Sequence, residues 1–134
     1  MRVLVTGGFD PLHVGHLRML VAAKYYGRVI VGLNSDAWLM RKKGYVFMPY
    51  AEREEILLGL SAVSIVLPTG DDSDGTVCDL LERFLPNYFA NGGDRTEANP
   101  AEAEVCRRIG IAQLFGIGGG KVQSSSALVA AAPR

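Results

Sequence analysis

The two histidines of this 134-residue chain, His13 and His16, lie three residues apart with Gly15 between them. They follow the apolar run "RVLVT" and a pair of glycines, and they open a segment with helical periodicity. Imidazole N–H groups beside a helix N-terminus can donate to an anion at which the first backbone amides also point. Protonation near neutral pH would add positive charge at the same place. The pair therefore predicts a site that binds phosphate or a similar anion.

Strand and helix signals alternate along the chain, and the strands are apolar throughout. Such strands indicate a parallel sheet covered by helices on both faces, and right-handed crossovers then give a Rossmann-like, doubly wound α/β fold. We predict one domain over residues 1–134, with strands at 2–6, 28–33, 63–68, 88–92 and 111–117. The predicted helices cover residues 16–27, 34–44, 50–60 and 76–84, a segment opened by Asn99-Pro100, and residues 124–131, with caps at Asn34 or Ser35, at Gly27, and in a Thr76–Asp79 capping box.

Polar and glycine residues collect where the predicted strands end. In open parallel sheets a ligand binds outside the carboxyl ends of the strands, where the strand order reverses. Glycines let the backbone approach an anion there. The residues at this edge are Gly7, Gly8, Phe9, Asp10, His13 and His16 after the first strand, Asn34, Ser35 and Asp36 after the second, Asn91, Gly92, Gly93, Asp94 and Arg95 after the fourth, and Gly118–Gly120, Lys121 and Ser124–Ser126 after the fifth.

The loop "GGFDPLHVGH" narrows the choice of phosphate chemistry. It lacks the lysine and spacing of a Walker A loop and does not fit the dinucleotide motif G-x-G-x-x-G. It resembles the H-x-G-H signature of the cytidylyltransferase-like nucleotidyltransferases, in the version found in cytidylyltransferases and heptose-1-phosphate adenylyltransferases. The segment "QSSSALV" resembles the second motif of that superfamily, and "LNSDAWLMRKKG", "AEREEILLGL" and "FANGGDR" follow the same order. The likeness covers nearly the whole chain.

The resemblance implies a reaction and a set of residues. A phosphate oxygen of an acceptor attacks the α-phosphorus of a nucleoside triphosphate, and pyrophosphate leaves. Mg²⁺ bridges the triphosphate oxygens and takes few protein ligands. The implied catalytic residues are His13, His16 and Lys43. The nucleotide side comprises Gly8, Phe9, Asp10, His16, Asn91, Gly93, Asp94, Lys121, Ser124, Ser125 and Ser126, and the acceptor side comprises Asp36, Arg53 and Arg95.

Several of these residues have a second interpretation from the sequence alone. Asp10 could orient the loop that carries the histidines or the metal shell, and it could equally stabilise a turn. The serine run could cap a helix, Lys43 could be the solvated end of a helix, and Arg53 could form a surface ion pair with a residue four positions away. Trp38 is expected in the core or an interface.

The identity of the substrates stays open at this point. The stretch "GGGKVQSSS" lacks the arginine found in glycerol-phosphate cytidylyltransferases, and Gly92-Gly93-Asp94 resembles the adenylyltransferase branch. We expect ATP or CTP with a small phosphorylated alcohol or sugar. The alternatives are a phosphopantetheine- or FMN-type adenylyltransferase and a nucleotide-binding protein without catalysis.

Composition bounds the other partners. The 14 basic and 14 acidic residues cancel, which disfavours non-specific binding to nucleic acid or a membrane. Cys78 and Cys106 match no metal-ligand spacing and are expected to be reduced, mostly buried thiols. No signal sequence or membrane-spanning run is recognisable, so we expect a cytoplasmic protein. The resemblance implies a homodimer.

Overall fold

The computed structural model describes residues 1–92, 99–119 and 125–131. Five parallel strands form one sheet in the order β3-β2-β1-β4-β5, which confirms the predicted fold class. The strands are β1 (Arg2–Gly7), β2 (Arg28–Leu33), β3 (Val63–Pro68), β4 (Tyr88–Gly92) and β5 (Ala112–Ile117). The helices are α1 (Val14–Ala23), α2 (Asp36–Lys43), α3 (Tyr50–Leu58), α4 (Cys78–Phe84), α5 (Pro100–Ile109) and α6 (Ser125–Ala131).

The central strand β1 determines where a ligand can bind. Its side chains alternate between two hydrophobic clusters, with Val3 and Val5 in one and Leu4 in the other. β1 pairs with β2 on one side and with β4 on the other, so the strand order reverses beside β1. The crevice at that reversal opens at the carboxyl end of β1. The connection from β1 to α1, residues 8–13, begins there and is called the histidine loop below.

The predicted cap at Asn34 or Ser35 and the helix start at Asn99-Pro100 are confirmed, whereas the caps predicted at Gly27 and at Thr76–Asp79 are wrong. Ser35 accepts a hydrogen bond from the amide of Trp38. Trp38 itself is partly buried. Asn99 caps α5, and Pro100 occupies the first position of that helix. The helix after β1 ends at Ala23 with Lys24 as its cap instead of reaching Gly27, since residues 25–27 continue in tighter turns that donate to carbonyls three residues back.

The predicted capping box at Thr76 and Asp79 does not form. Helix α4 begins at Cys78, and its cap residue Val77 donates its amide to the carboxylate of the buried Glu102 on α5, at 3.0 Å. A tertiary contact therefore replaces the local cap that the sequence pattern indicates. Such a partner from a distant helix leaves no mark in the local sequence.

Both cysteines are free thiols, and Cys106 is buried. Burial raises the pKa of the Cys106 thiol to about 11, so it behaves as a small apolar side chain. Among the described residues, no helix is both long enough and apolar enough to cross a bilayer.

Candidate active site

The histidine pair caps helix α1. The Nδ1 atom of His13 accepts a hydrogen bond from the amide of Gly15 at 3.1 Å, and the Nδ1 atom of His16 accepts from the amide of His13 at 3.2 Å. Together these bonds form a capping box in which imidazoles take the places usually held by a serine or threonine and a glutamate or glutamine. This explains why α1 begins at Val14, two residues before the start expected from the sequence.

The capping bonds also determine the tautomer of each ring. An amide N–H is a donor, so the Nδ1 atom that receives it carries no proton, and the ring proton lies on Nε2. The two rings stack with centroids 3.9 Å apart and planes 23° from parallel. The arrangement therefore fixes two Nε2–H donors side by side at a helix N-terminus.

His16 is neutral at physiological pH in this structure. Burial, followed by the proximity of His13 and of Lys43, lowers its pKa from 6.5 to about 3. The expectation that His16 gains charge near neutral pH is therefore wrong, because a proton on Nδ1 would be poorly solvated and would replace the capping bond. His16 offers an N–H dipole, and the nearby cation is the ammonium of Lys43.

The pKa of His16 predicts an acid-sensitive stability. Between about pH 6.5 and pH 3 the unfolded chain binds a proton at this residue and the folded chain does not, so acid favours unfolding. The stabilisation is complete above about pH 6.5 and is lost as the pH falls towards 3, by up to about 1.4 kcal/mol per pH unit for one proton. Urea unfolding between pH 7.5 and 4.5 should show a shallower pH dependence in His16→Gln than in the wild type. Parallel curves would contradict the low pKa.

Asp10 fastens the loop between α2 and α3 to the histidine loop. The Asp10 side chain is fully buried, and its two oxygens accept from the amides of Phe47, at 2.7 Å, and Met48, at 2.5 Å. The ammonium of Lys43 lies 3.4 Å from the Asp10 carbonyl oxygen. Asp10 thus holds the loop that follows Lys43, and backbone amides engage both oxygens of its carboxylate. Its assignment to the nucleotide side stays a prediction.

Arg53 is buried as well, so the surface ion pair considered from the sequence is wrong. None of its surface is exposed, and its carboxylate partner is Asp36, at 2.7 Å, whose side chain is 45% exposed. The same Asp36 oxygen accepts from the amide of Tyr50 at 2.9 Å. Of the acceptor-side candidates that the structure describes, Asp36 keeps part of its carboxylate exposed, whereas the guanidinium of Arg53 is enclosed by three backbone carbonyls and that carboxylate.

The remaining described candidates shape the walls of the site. Phe9 is buried, adopts a left-handed conformation at φ 50° and places its ring 4.8 Å from that of His16. A Cβ at Gly8 would come within 2.8 Å of the Leu39 side chain, so a larger residue there requires Leu39 to move. Asn91 is buried and donates from its amide to β5 at 3.3 Å.

The serine run of the second motif contacts the histidine loop through a hydrogen bond. Ser125 donates its hydroxyl to the carbonyl of Pro11 at 2.7 Å, and Ser126 is exposed one residue further along α6. The structure therefore brings the two motifs together across more than a hundred residues of sequence. The predicted site residues Gly93, Asp94, Arg95, Lys121 and Ser124 lie outside the described residues.

Asn34, expected at the carboxyl edge of the sheet and as a possible cap, directly follows β2 and does not cap α2, whose cap is Ser35. The side-chain nitrogen of Asn34 is buried and has no hydrogen-bond partner among the described residues. The backbone carbonyl of Asn34 accepts from the guanidinium of Arg53 at 2.7 Å. Its position directly after a buried strand was the available signal. A buried donor without a partner is costly, and it is suited to a ligand group or a water molecule.

The described residues around the histidines offer few ligands for a metal ion. Asp10, the acid of the histidine loop, has both oxygens bonded to backbone amides. Within the described ranges, no cluster of three histidine, cysteine or acidic side chains could hold a metal ion.

Comparison with known proteins points to one family. The cytidylyltransferase-like family profile matches residues 4–109. The chain is 40% identical over 109 residues to the "Bifunctional protein HldE" of Rhodopseudomonas palustris, with 78% of this chain and 22% of that protein covered. It is 38% identical over 120 residues to the protein of the same name from Shewanella baltica, with 86% and 25% covered.

A solved structure shares the fold. The lipopolysaccharide core biosynthesis protein from Thermoplasma volcanium aligns with a TM-score of 0.63 and 26% identity, over 87% of this chain and 93% of that one. By contrast, the chain spans about a quarter or less of the length of the curated relatives above. The similarity to those relatives therefore concerns one domain of longer proteins.

Proposed function

Because the chain belongs to the cytidylyltransferase-like family, we propose that it is a nucleotidyltransferase domain. It transfers a nucleoside monophosphate from ATP or CTP to the phosphate of a small sugar or alcohol and releases pyrophosphate. The observation that carries the proposal is the pair of stacked imidazoles that cap α1 beside β1, with Lys43 close to them.

The proposed step needs positioning and charge stabilisation more than proton transfer. An acceptor phosphate oxygen attacks the α-phosphorus, a new P–O bond forms, and the bond from the α-phosphorus to the bridging oxygen breaks. The electron pair leaves with pyrophosphate. The acceptor is already an anion, so no general base is required, and the barrier is lowered by donors aimed at the phosphate oxygens as charge shifts among them.

The chain's own residues supply those donors. The capping bonds hold the Nε2–H groups of His13 and His16 in place, and the N-terminus of α1 adds the positive end of the helix dipole. The Lys43 ammonium adds the formal positive charge that the neutral His16 ring lacks. Magnesium belongs to the triphosphate substrate, whose charge it partly neutralises.

The acceptor class has support from a relative. The Thermoplasma volcanium protein is named for lipopolysaccharide core biosynthesis, and that core is an oligosaccharide. This favours a sugar phosphate over a simple alcohol phosphate. The half-exposed carboxylate of Asp36 is suited to sugar hydroxyls, because a carboxylate accepts several hydrogen bonds.

The experiment is pyrophosphate release measured with Mg²⁺ across ATP, CTP, GTP and UTP. Each nucleotide is paired with sugar 1-phosphates, glycerol 3-phosphate, phosphocholine, phosphoethanolamine, phosphopantetheine and FMN. We expect one preferred nucleotide, ATP or CTP, with a sugar phosphate. Activity with only phosphopantetheine or FMN would overturn the acceptor assignment. Tight nucleotide binding without pyrophosphate release for any pair would favour a non-catalytic binding protein.

The homodimer stays a prediction from the family resemblance, to be tested by light scattering.

Ser126→Ala should raise the KM for the triphosphate roughly tenfold or more and leave the melting temperature unchanged. The expectation rests on the exposure of Ser126, on the bond from its neighbour Ser125 to Pro11 and on the strength of a hydrogen bond to a charged phosphate. Steady-state kinetics and a thermal melt measure the two effects. A loss of stability with unchanged KM would show that the serine run only caps α6.

A further inference from the structure

Arg53 joins three separate loops at the carboxyl edge of the sheet. Its Nε atom donates to the carbonyl of Met48 at 2.9 Å, and one terminal nitrogen donates to the carbonyls of Gly8, at 2.8 Å, and Asn34, at 2.7 Å. The other terminal nitrogen donates to Asp36 at 2.7 Å. The three carbonyls belong to the β1–α1, β2–α2 and α2–α3 connections, so one side chain fixes their relative positions.

The planar guanidinium is what makes this junction possible. Its donors point in fixed directions in one plane, whereas a lysine ammonium offers a compact charge at a single point. Without Arg53 the buried carbonyls would lack a donor, which is unfavourable for each of them. The guanidinium also lies with its carbon 5.6 Å from the Tyr50 ring centroid, so it is held on α3 by packing as well as by hydrogen bonds.

A series of contacts connects Arg53 with His16. The Gly8 carbonyl that it holds precedes Phe9, a bulky residue at a φ of 50°. That conformation is strained for a residue with a side chain and persists only where neighbours impose it. The Phe9 ring in turn packs against His16, with centroids 4.8 Å apart. The position of the Gly8 carbonyl therefore influences the orientation of the His16 ring.

We propose that Arg53 is a positioning residue that holds the histidine loop in its catalytic shape through the Gly8 carbonyl, without contacting substrate. Its relevance to turnover rests on the proposed nucleotidyltransferase function. The buried guanidinium, its three backbone acceptors in three loops and its link through Phe9 to His16 carry the assignment. A displacement of about 1 Å in a catalytic group can reduce a rate roughly 10²-fold, so small movements of this loop are sufficient.

The test compares Arg53→Lys with a matched core variant on the same helix. Leu57, one turn further along α3, is fully buried in the hydrophobic cluster that also includes Phe9, and its aliphatic side chain has no donor for the loop carbonyls. Both variants are expected to lower the melting temperature. Arg53→Lys should in addition reduce kcat roughly 10–10²-fold, whereas Leu57→Ala should leave kcat within about twofold of the wild type at a temperature where both are folded.

A second readout does not depend on activity. The protein has only two histidines, so selective ¹⁵N labelling gives a spectrum in which both rings can be followed. We expect the His16 signals to shift or broaden in Arg53→Lys and to stay unchanged in Leu57→Ala. Unchanged His16 signals in Arg53→Lys, or equal changes in both variants, would overturn the proposal.

The kinetic and the spectroscopic measurements distinguish a failure of the proposed nucleotidyltransferase function from a failure of the role proposed for Arg53. If the wild type releases no pyrophosphate with any substrate pair, the proposed function fails, and the histidine spectra still decide whether Arg53 positions the loop. If Arg53→Lys does not fold, Asp36→Asn weakens the same junction from its half-exposed end. Its His16 signals should then change in the same direction by a smaller amount, and an unchanged spectrum would count against the proposal.

Discussion

Replacing His16 by glutamine is expected to reduce kcat roughly 10²–10³-fold, the range for removal of one preorganised donor to a developing charge, while the protein stays folded. Glutamine is a natural residue at this position of a capping box. Its carbonyl oxygen can accept from the amide of His13 as the Nδ1 atom of His16 does at 3.2 Å. The variant therefore retains the start of α1 and exchanges the rigid imidazole Nε2–H donor for an amide N–H on a longer and more flexible side chain. Steady-state pyrophosphate release and a thermal melt measure the two effects.

His13→Asn is the companion variant. Asparagine is among the best N-cap residues and can accept from the amide of Gly15, which His13 accepts at 3.1 Å. We expect a similar loss of kcat with little change in the KM for the triphosphate, because the lost contact strengthens only in the transition state. His13→Ala removes the cap as well and should also lower the melting temperature. Normal turnover in either cap-retaining variant would remove that histidine from the mechanism.

The chemistry of the site was visible in the sequence because it lies in local motifs. The run "RVIVGL" has the composition of a buried strand and forms β2 at the predicted residues, and Ser35 and Asn99 cap the helices that they precede. Such features depend on neighbours within a few residues of one another. They give the order of the elements, and the rule for open parallel sheets then gives the edge at which the ligand binds.

The contacts that hold the site together were not visible, because they join residues that are distant in sequence. The Asp10 carboxylate meets amides 37 and 38 residues away, and Arg53 meets the Gly8 carbonyl 45 residues away. The family resemblance assigned Asp10 to the nucleotide and Arg53 to the acceptor, and these assignments stay predictions. Both side chains are fully buried, and a fully buried charge must find partners within the protein, which the sequence alone does not identify.

The protonation of His16 could not be predicted for the same reason. An unperturbed imidazole titrates near neutral pH, but its pKa here is set by burial, by the adjacent ring and by Lys43. The positive charge at the site is therefore assigned to the ammonium of Lys43, which lies beside the Asp10 carbonyl. Activity that depends on Lys43 and not on an imidazolium should persist well above pH 7.

The position of Lys43 makes Asp10 the next residue to test. Asp10→Asn is expected to lower the free energy of unfolding by about 2–4 kcal/mol, because one charge-assisted acceptor is lost and a buried donor is brought against a backbone N–H. The amides of Phe47 and Met48 compete for the single remaining oxygen. The loop that follows Lys43 should then detach, so that the KM for the triphosphate rises and kcat falls together.

Asp71→Asn is the matched control for that change. Asp71 also accepts from a backbone amide and a hydroxyl, those of Ser73, but it is fully exposed, so water replaces what the amide cannot supply. Its stability and kinetics should equal those of the wild type. Equal effects of the two substitutions would show that the Asp10 carboxylate contributes no more than a surface turn. A stability loss in Asp10→Asn with unchanged KM and kcat would show that turnover does not require Asp10 to hold the loop that follows Lys43.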